Sequence, residues 1–176
     1  MWKNTLKLLI ISGFGLWLTA CTPPRIEMVD STTITFERTA CYGECPAYKV
    51  TIYADGRVNY EGYGHVDIEG TQTTVINPSK VHALLYEFGK IDFFSLEDRY
   101  AQSITDIPTF TITLKIGNKQ KHVEHYGCLP QILIDLEYLI DETVGSEQWV
   151  GQNAYQLYPK PTCADYFPEQ PISPLK

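Results

Sequence analysis

The sequence predicts an α+β domain: an antiparallel sheet of about five to six strands with two helices packed on one face, in the order ββββ-α-ββ-α. Three observations carry this. Alternating apolar and polar runs recur between tight turns such as Asp55-Gly56 and Gly117-Asn118, which is the period of half-buried strands. Two longer stretches, opening at Asn77 and near Pro130, repeat apolar residues at helical spacing instead. The connections are short and turn-like, which suits antiparallel neighbours. The chain has 176 residues, 44% of them apolar, so one domain with a packed core is expected.

Taken in order, Ile34 to Ala40 reads as the first strand, followed by the turn Cys41-Tyr42-Gly43-Glu44-Cys45-Pro46. Ala47 to Ala54 alternates, with Tyr48, Val50 and Ile52 on one face. Asp55-Gly56 suits a two-residue hairpin turn, whose backbone needs positive φ. Arg57 to Tyr63 returns, with Val58 and Tyr60 facing the core, and His65 to Ile68 and Thr73 to Ile76 read as further extended pieces around Gly70. Asn77 then caps a helix and Pro78 fits its first position. Val81, Leu84, Leu85, Phe88 and Ile91 form its buried stripe, and Phe93, Phe94 and Leu96 extend the apolar surface. Phe110, Ile112, Leu114 and Ile116 alternate with polar residues, and Gln120 to Tyr126 pairs back on them. In the second helix the expected stripe is Leu129, Ile132, Leu133, Leu136, Leu139 and Ile140, with Gly145 ending it. Residues 152–176 hold several prolines and no apolar period, and read as an irregular tail.

The first residues carry an address. Lys3 and Lys7 precede an apolar run from Leu8 to Leu18, which is signal-peptide length and short for a membrane span. The run closes on Leu18-Thr19-Ala20-Cys21, which resembles the lipobox of bacterial lipoproteins. That resemblance implies a signal peptide over residues 1–20, cleavage after Ala20, and acylation (palmitate among the chains) on Cys21. Several acyl chains on one residue anchor stably where one does not. Residues 21–31 then form a tether, and 32–151 the domain. Thr22, being no aspartate, implies the outer membrane facing the periplasm by the same resemblance. The expected partner of Cys21 is the lipid bilayer.

Charge narrows the function classes. The formal charge is −7, and removing residues 1–20, with Lys3 and Lys7 and no acid, makes it −9. Phosphate binding needs a basic footprint, so nucleic acid is not expected as a partner. No Gly-x-Ser-x-Gly, His-Glu-x-x-His or phosphate-loop pattern occurs. The acids Glu61, Asp67, Glu69 and Asp106 show no spacing that pairs them for glycoside chemistry. His122 and His125 sit three apart on a strand, hence on opposite faces, and read as part of a solvated strand. We therefore expect no catalytic residue, no cofactor and no resident metal.

Five cysteines are present. With Cys21 acylated, Cys41, Cys45, Cys128 and Cys163 remain, and an even number outside the cytoplasm points to disulfides. Four cysteines allow three pairings. A Cys41–Cys45 bond needs Cα atoms about 4.4–6.8 Å apart, so Tyr42-Gly43-Glu44 must turn, with Gly43 the permissive residue. Loop-closure entropy gives it about 2 kcal/mol, against about 4.6 kcal/mol for Cys45 with Cys128. A zinc set of Cys41, Cys45, His125 and Cys128 has suitable ligand types but loose spacing. A redox reading lacks the usual Cys-x-x-Cys at a helix start.

The run Cys41-Tyr42-Gly43-Glu44-Cys45-Pro46-Ala47-Tyr48, with Val50-Thr51-Ile52-Tyr53, Asp55-Gly56, Tyr60-Glu61-Gly62, Asp92-Phe93-Phe94, Asp106-Ile107-Pro108 and Gly145-Ser146-Glu147-Gln148-Trp149, carries a family likeness. From Ile34 to Gly151 the chain resembles a family of bacterial secreted proteins catalogued as domain of unknown function 6438. The resemblance implies one domain and an envelope address, and supplies no activity. Its motif holds Cys41 and Cys45 together, which favours pairing them, leaving Cys128 with Cys163. The expected function is a membrane-anchored, non-enzymatic module binding an envelope protein or a cell-wall component. Tyr42, Gly43, Glu44, Pro46, Tyr53 and Tyr63 are the expected contact surface, exposed tyrosines being good contact residues. The alternatives are an inhibitor of a lysozyme-like hydrolase, and a metal-binding or redox protein using the Cys41, Cys45, His125 and Cys128 set.

Overall fold

Strands β1 (Thr33–Arg38), β2 (Ala47–Tyr53), β3 (Arg57–Gly64), β4 (Gly70–Val75), β5 (Arg99–Ala101), β6 (Thr109–Ile116) and β7 (Lys119–Tyr126) form one seven-stranded sheet in the order β4-β3-β2-β1-β6-β7-β5. Helices α1 (Pro78–Lys90), α2 (Gln131–Val144) and α3 (Glu147–Val150) complete the order. This computed structural model describes residues 28–101, 105–127 and 130–151. Cys21, the Cys128–Cys163 pairing and the tail 152–176 lie outside the described residues.

The α+β class and the helical face are as expected, with differences in count. Among the described residues the sheet has seven strands rather than five to six, and there are three α-helices rather than two. β5 is only three residues and pairs in parallel with β7, Tyr100 opposite His125. Three residues are too few to show alternation. All other pairings are antiparallel. His65 to Ile68 is a bend and not a strand, opening with His65 at φ 54°. The fourth strand starts instead at Gly70.

Each main element follows from its sequence. The Asn77 side chain accepts from Ser79 N at 2.9 Å, satisfying a donor left over at the start of α1. Val81, Leu84, Leu85 and Phe88 are buried beneath it. Gly56 sits at φ 88°, and a Cβ there would meet Ile76 O at 2.2 Å, so both backbone and space demand glycine. Gly145, at φ 69°, closes α2 as expected.

Among the described residues the helices cover one face of the sheet. α2 runs obliquely over the strands: Glu137 meets His125 on β7, Asp141 meets Tyr48 on β2, and beyond it Trp149 stacks on Tyr60 of β3, ring centroids 4.9 Å apart. The core lies between, built from Ile34, Phe36, Val50, Ile52, Val58, Ile112, Leu114 and Val123 below and the two helical stripes above. The other face is open and polar, with Thr35, Thr51 and Thr113 side by side across β1, β2 and β6. β1 has an entry pole, where Thr33 lies beside Tyr53 and Lys115, and a loop pole, where Arg38 lies beside Tyr48 and Phe110. The two ends are about 17 Å apart, five steps at ~3.3 Å each.

Candidate functional site

Strand register builds the site. At the loop pole Tyr48 (β2), Arg38 (β1), Phe110 (β6) and His125 (β7) form one transverse row on the helix-covered face. The Phe110 ring is sandwiched. His125 stacks on it with centroids 4.6 Å apart and planes 1° off parallel, and the Arg38 guanidinium lies 4.9 Å from its centroid. Arg38 is also 5.8 Å from the Tyr48 ring. A cation over an aromatic face is attracted by the ring quadrupole.

α2 supplies the opposing charges. Glu137 and Asp141, four apart, both face the row and are buried. Tyr48 OH donates to Asp141 Oδ2 at 2.6 Å, and Ser146 Oγ donates to Asp141 Oδ1 at 2.6 Å. His125 Nε2 donates to Glu137 Oε1. Burial works against the Arg38 charge, but the Tyr48 oxygen, Asp141 and Glu137 around it hold its pKa above the ordinary value. Burial, with Asp141 and Asp67 near, pushes the Tyr60 hydroxyl up to about 12.

Above the row sits a cavity of about 90 Å³. Phe36, Phe110, Ile134 and Tyr138 give it apolar walls, and Arg38, His125, Glu137 and Asp141 its polar ones. His125 is 3% exposed. Its Nδ1 is buried and has no hydrogen-bond partner among the described residues. Phe110, Gly127 and Tyr138 are half-buried, so the cavity reaches the surface beside the end of β7.

The disulfide loop stands at the same pole. Cys41 and Cys45 are bonded, Cα atoms 5.6 Å apart. Tyr42 N donates to Asp106 O at 3.4 Å. Tyr42, Gly43 and Glu44 are exposed, Tyr42 at 89%. Pro46 is buried. Tyr63 lies on the open sheet face at the loop pole, its OH 3.5 Å from Glu61 Oε2, next to the Lys49–Glu61 ion pair. Burial raises the Tyr63 pKa, Glu61 and Glu37 adding to it. Tyr53 shares that open face but sits at the entry pole, half-buried beneath Arg57 at 4.6 Å. The expected contact set therefore divides: Tyr42, Gly43, Glu44 and Tyr63 share the loop pole, Tyr53 lies at the entry pole, and Pro46 is buried.

His122 and His125 do point to opposite faces. His122 is exposed and bonds Thr113 Oγ1 through Nδ1 at 3.0 Å. His125 belongs to the core and not to a solvated face. The set Cys41, Cys45, His125 and Cys128 is not assembled as ligands. Two members are bonded to each other, His125 is paired with Glu137, and Cys128 lies outside the described residues. Among the described residues no group of three or more His, Cys, Asp or Glu is placed to hold a metal ion.

Sequence reasoning missed Arg38, Glu137, Asp141 and Ser146, all buried. The signal was in the phase of α2. Its buried line runs Leu133, Leu136, Glu137, Ile140, Asp141, Val144, an unbroken helical stripe. The expected stripe took Ile132 instead, which is 46% exposed. Two acids on the apolar line mark a polar core.

Fold and site define a two-layer α+β domain with a buried ionic cluster at the same end of the sheet as a disulfide-pinned loop. The family model described as Domain of unknown function (DUF6438) matches residues 32–144, and the chain belongs to that family. The match ends before Gly145-Ser146-Glu147-Gln148-Trp149. No curated protein matches the chain.

Proposed function

We propose that the protein is a lipid-anchored module of the cell envelope that binds a protein or cell-wall component and catalyses nothing. One observation carries the reading: the chain enters at one end of β1 and the disulfide loop leaves at the other. Val29 and Thr32 bond each other where the chain enters, and Thr32 accepts from Ala54 N at 3.1 Å. An anchor at Cys21, reached through residues 22–31, then places Tyr42, Gly43, Glu44 and Tyr63 on the pole away from the membrane. On this reading the outer membrane, on its periplasmic side, is the address.

Two measurements test it. Mass spectrometry of the protein from envelopes should find Cys21 acylated and residues 1–20 gone. Crosslinked envelopes should yield a reproducible partner that Tyr42→Ala with Glu44→Ala loses while the fold persists. An unprocessed cytosolic chain, or no partner in repeated captures, sinks the proposal. The exposed Glu44 on a pinned loop also suits insertion into a basic cleft, which keeps the hydrolase-inhibitor reading as second. Failure to inhibit any lysozyme type removes it.

A further inference from the structure

We propose that the groove between α1 and α2 holds residues 152–162, the first part of the chain's own C-terminal tail. The inference stands on the groove and the tail sequence, and needs neither the anchor nor the disulfide loop.

The groove measures about 710 Å³, within the ~300–1,000 Å³ typical of binding clefts. Apart from the buried Leu84 its lining is exposed or half-buried, so it opens to solvent. Leu139 and Tyr138 are half-buried there, and Ala83 is exposed beside them. Toward the start of α2 it adjoins a second hollow of about 250 Å³, which shares Glu87, Asp135 and Leu139 and adds Ile132, 46% exposed. Apolar side chains left half open along a trough gain by being covered.

Charge and composition select the occupant. Glu87, Asp135 and Glu142 line the groove with Lys80. Lys90 neutralises Glu87 at 2.7 Å, which leaves two carboxylates against one ammonium. Gln152 to Thr162 carries Tyr155, Leu157 and Tyr158 and a single charge, Lys160. The later part of the tail brings Asp165 and Glu169, which the acids of the groove would repel. A second copy of this acidic chain fits worse, because a two-fold contact sets the same patch, Asp135 and Glu142 included, against itself.

Length permits the path. Tyr158 and Lys160 each precede a proline, which disfavours helix and favours extended backbone. Eleven such residues reach about 34 Å at ~3.1 Å each. Along α2 the groove runs from Thr143 to Asp135, about 12 Å at ~1.5 Å per residue. About 20 Å of the extended segment then remains for the way round from Gly151, which follows Thr143 with α3 between.

The test uses the full processed chain. Carbodiimide joins an amine to a carboxylate it touches, and peptide mapping should find Lys160 joined to Asp135, Glu142 or Glu87 within one molecule. Chymotrypsin should cut after Tyr155, Leu157 and Tyr158 at least about tenfold more slowly than in a synthetic peptide of residues 150–162, since cleavage follows the open fraction. Ala83→Arg, at an exposed position, fills the groove and repels Lys160. It should erase the Lys160 couplings and speed the cuts at least about tenfold. Lys160→Glu leaves the groove unaltered and should speed the same cuts, so it decides the matter if Ala83→Arg misfolds. Cys163 is unchanged in every chain compared, so its bonding cannot produce the difference. Equal cleavage of wild type and a folded variant, Lys160 couplings scattered over the surface, or couplings only between isotopically distinct copies would overturn the assignment.

Discussion

Replacing Asp141 by leucine strands a buried cation. In the folded protein Asp141 accepts from Tyr48 OH and Ser146 Oγ, both at 2.6 Å, and faces Arg38. Arg38 is 9% exposed, so water cannot take over. Breaking one side of a buried pair costs about 3–5 kcal/mol, and Glu137, the acid left near Arg38, is already engaged with His125. At roughly 4 °C per kcal/mol for a domain of this size, Tm falls by ~12–20 °C. Adding Arg38→Met should restore at least ~1.5 kcal/mol, since both charges are then gone and Glu137 keeps His125. The assay is urea unfolding followed by tryptophan emission. Once residues 1–20 are removed, Trp149 is the chain's single tryptophan, and it stacks on Tyr60 inside the same core. Strictly additive effects of the two substitutions, or a loss below ~1 kcal/mol for Asp141→Leu, would refute the ionic cluster as the organising feature of this pole.

Three further outcomes are expected. Cys41→Ser with Cys45→Ser should lower stability by about 2 kcal/mol, the entropy of a five-residue loop, read as a shift in urea midpoint; proteolysis at Tyr42 should quicken. Gly56→Ala should cost at least ~2 kcal/mol, because the new Cβ meets Ile76 O at 2.2 Å and φ is 88°; an unchanged midpoint would disprove the close approach. Tyr60 is protonated in the folded state up to about 12, against an ordinary 10.0. Unfolding releases that proton, so stability is level below pH 10 and falls as pH climbs from 10 to 12. Ultraviolet titration should show one tyrosine ionising only with alkaline unfolding.

Legibility varied by the physics of each feature. The strands β1, β2, β3, β6 and β7 were readable because half-burial imprints a period of two, and α1 because Asn77, Pro78 and its stripe agree. The Cys41–Cys45 pairing came from the resemblance, not from loop entropy, which favours the longer closure. β5 was invisible, since three residues hold no period and a parallel edge pair leaves no turn signal. The site was least legible. His125 reads as polar and therefore solvated, and only register, Phe110 against His125 and Phe110 against Arg38, places it in the core. Glu137 and Asp141 hide for the same reason: charge in a helix suggests its outer side unless its phase is followed residue by residue.

β4 is the last strand of the sheet, and among the described residues nothing pairs with its outer side. Its six residues, Gly70–Val75, carry threonine and glutamine but no lysine or proline, and Val75 is 71% exposed. Such a rim is a template for any extended segment, because main-chain groups recruit main-chain groups irrespective of side chain. The opposite rim, β5, is half that length. At high concentration, molecules should therefore stick rim to rim along β4, and a single Thr73→Lys or Thr73→Pro change should keep the protein monodisperse.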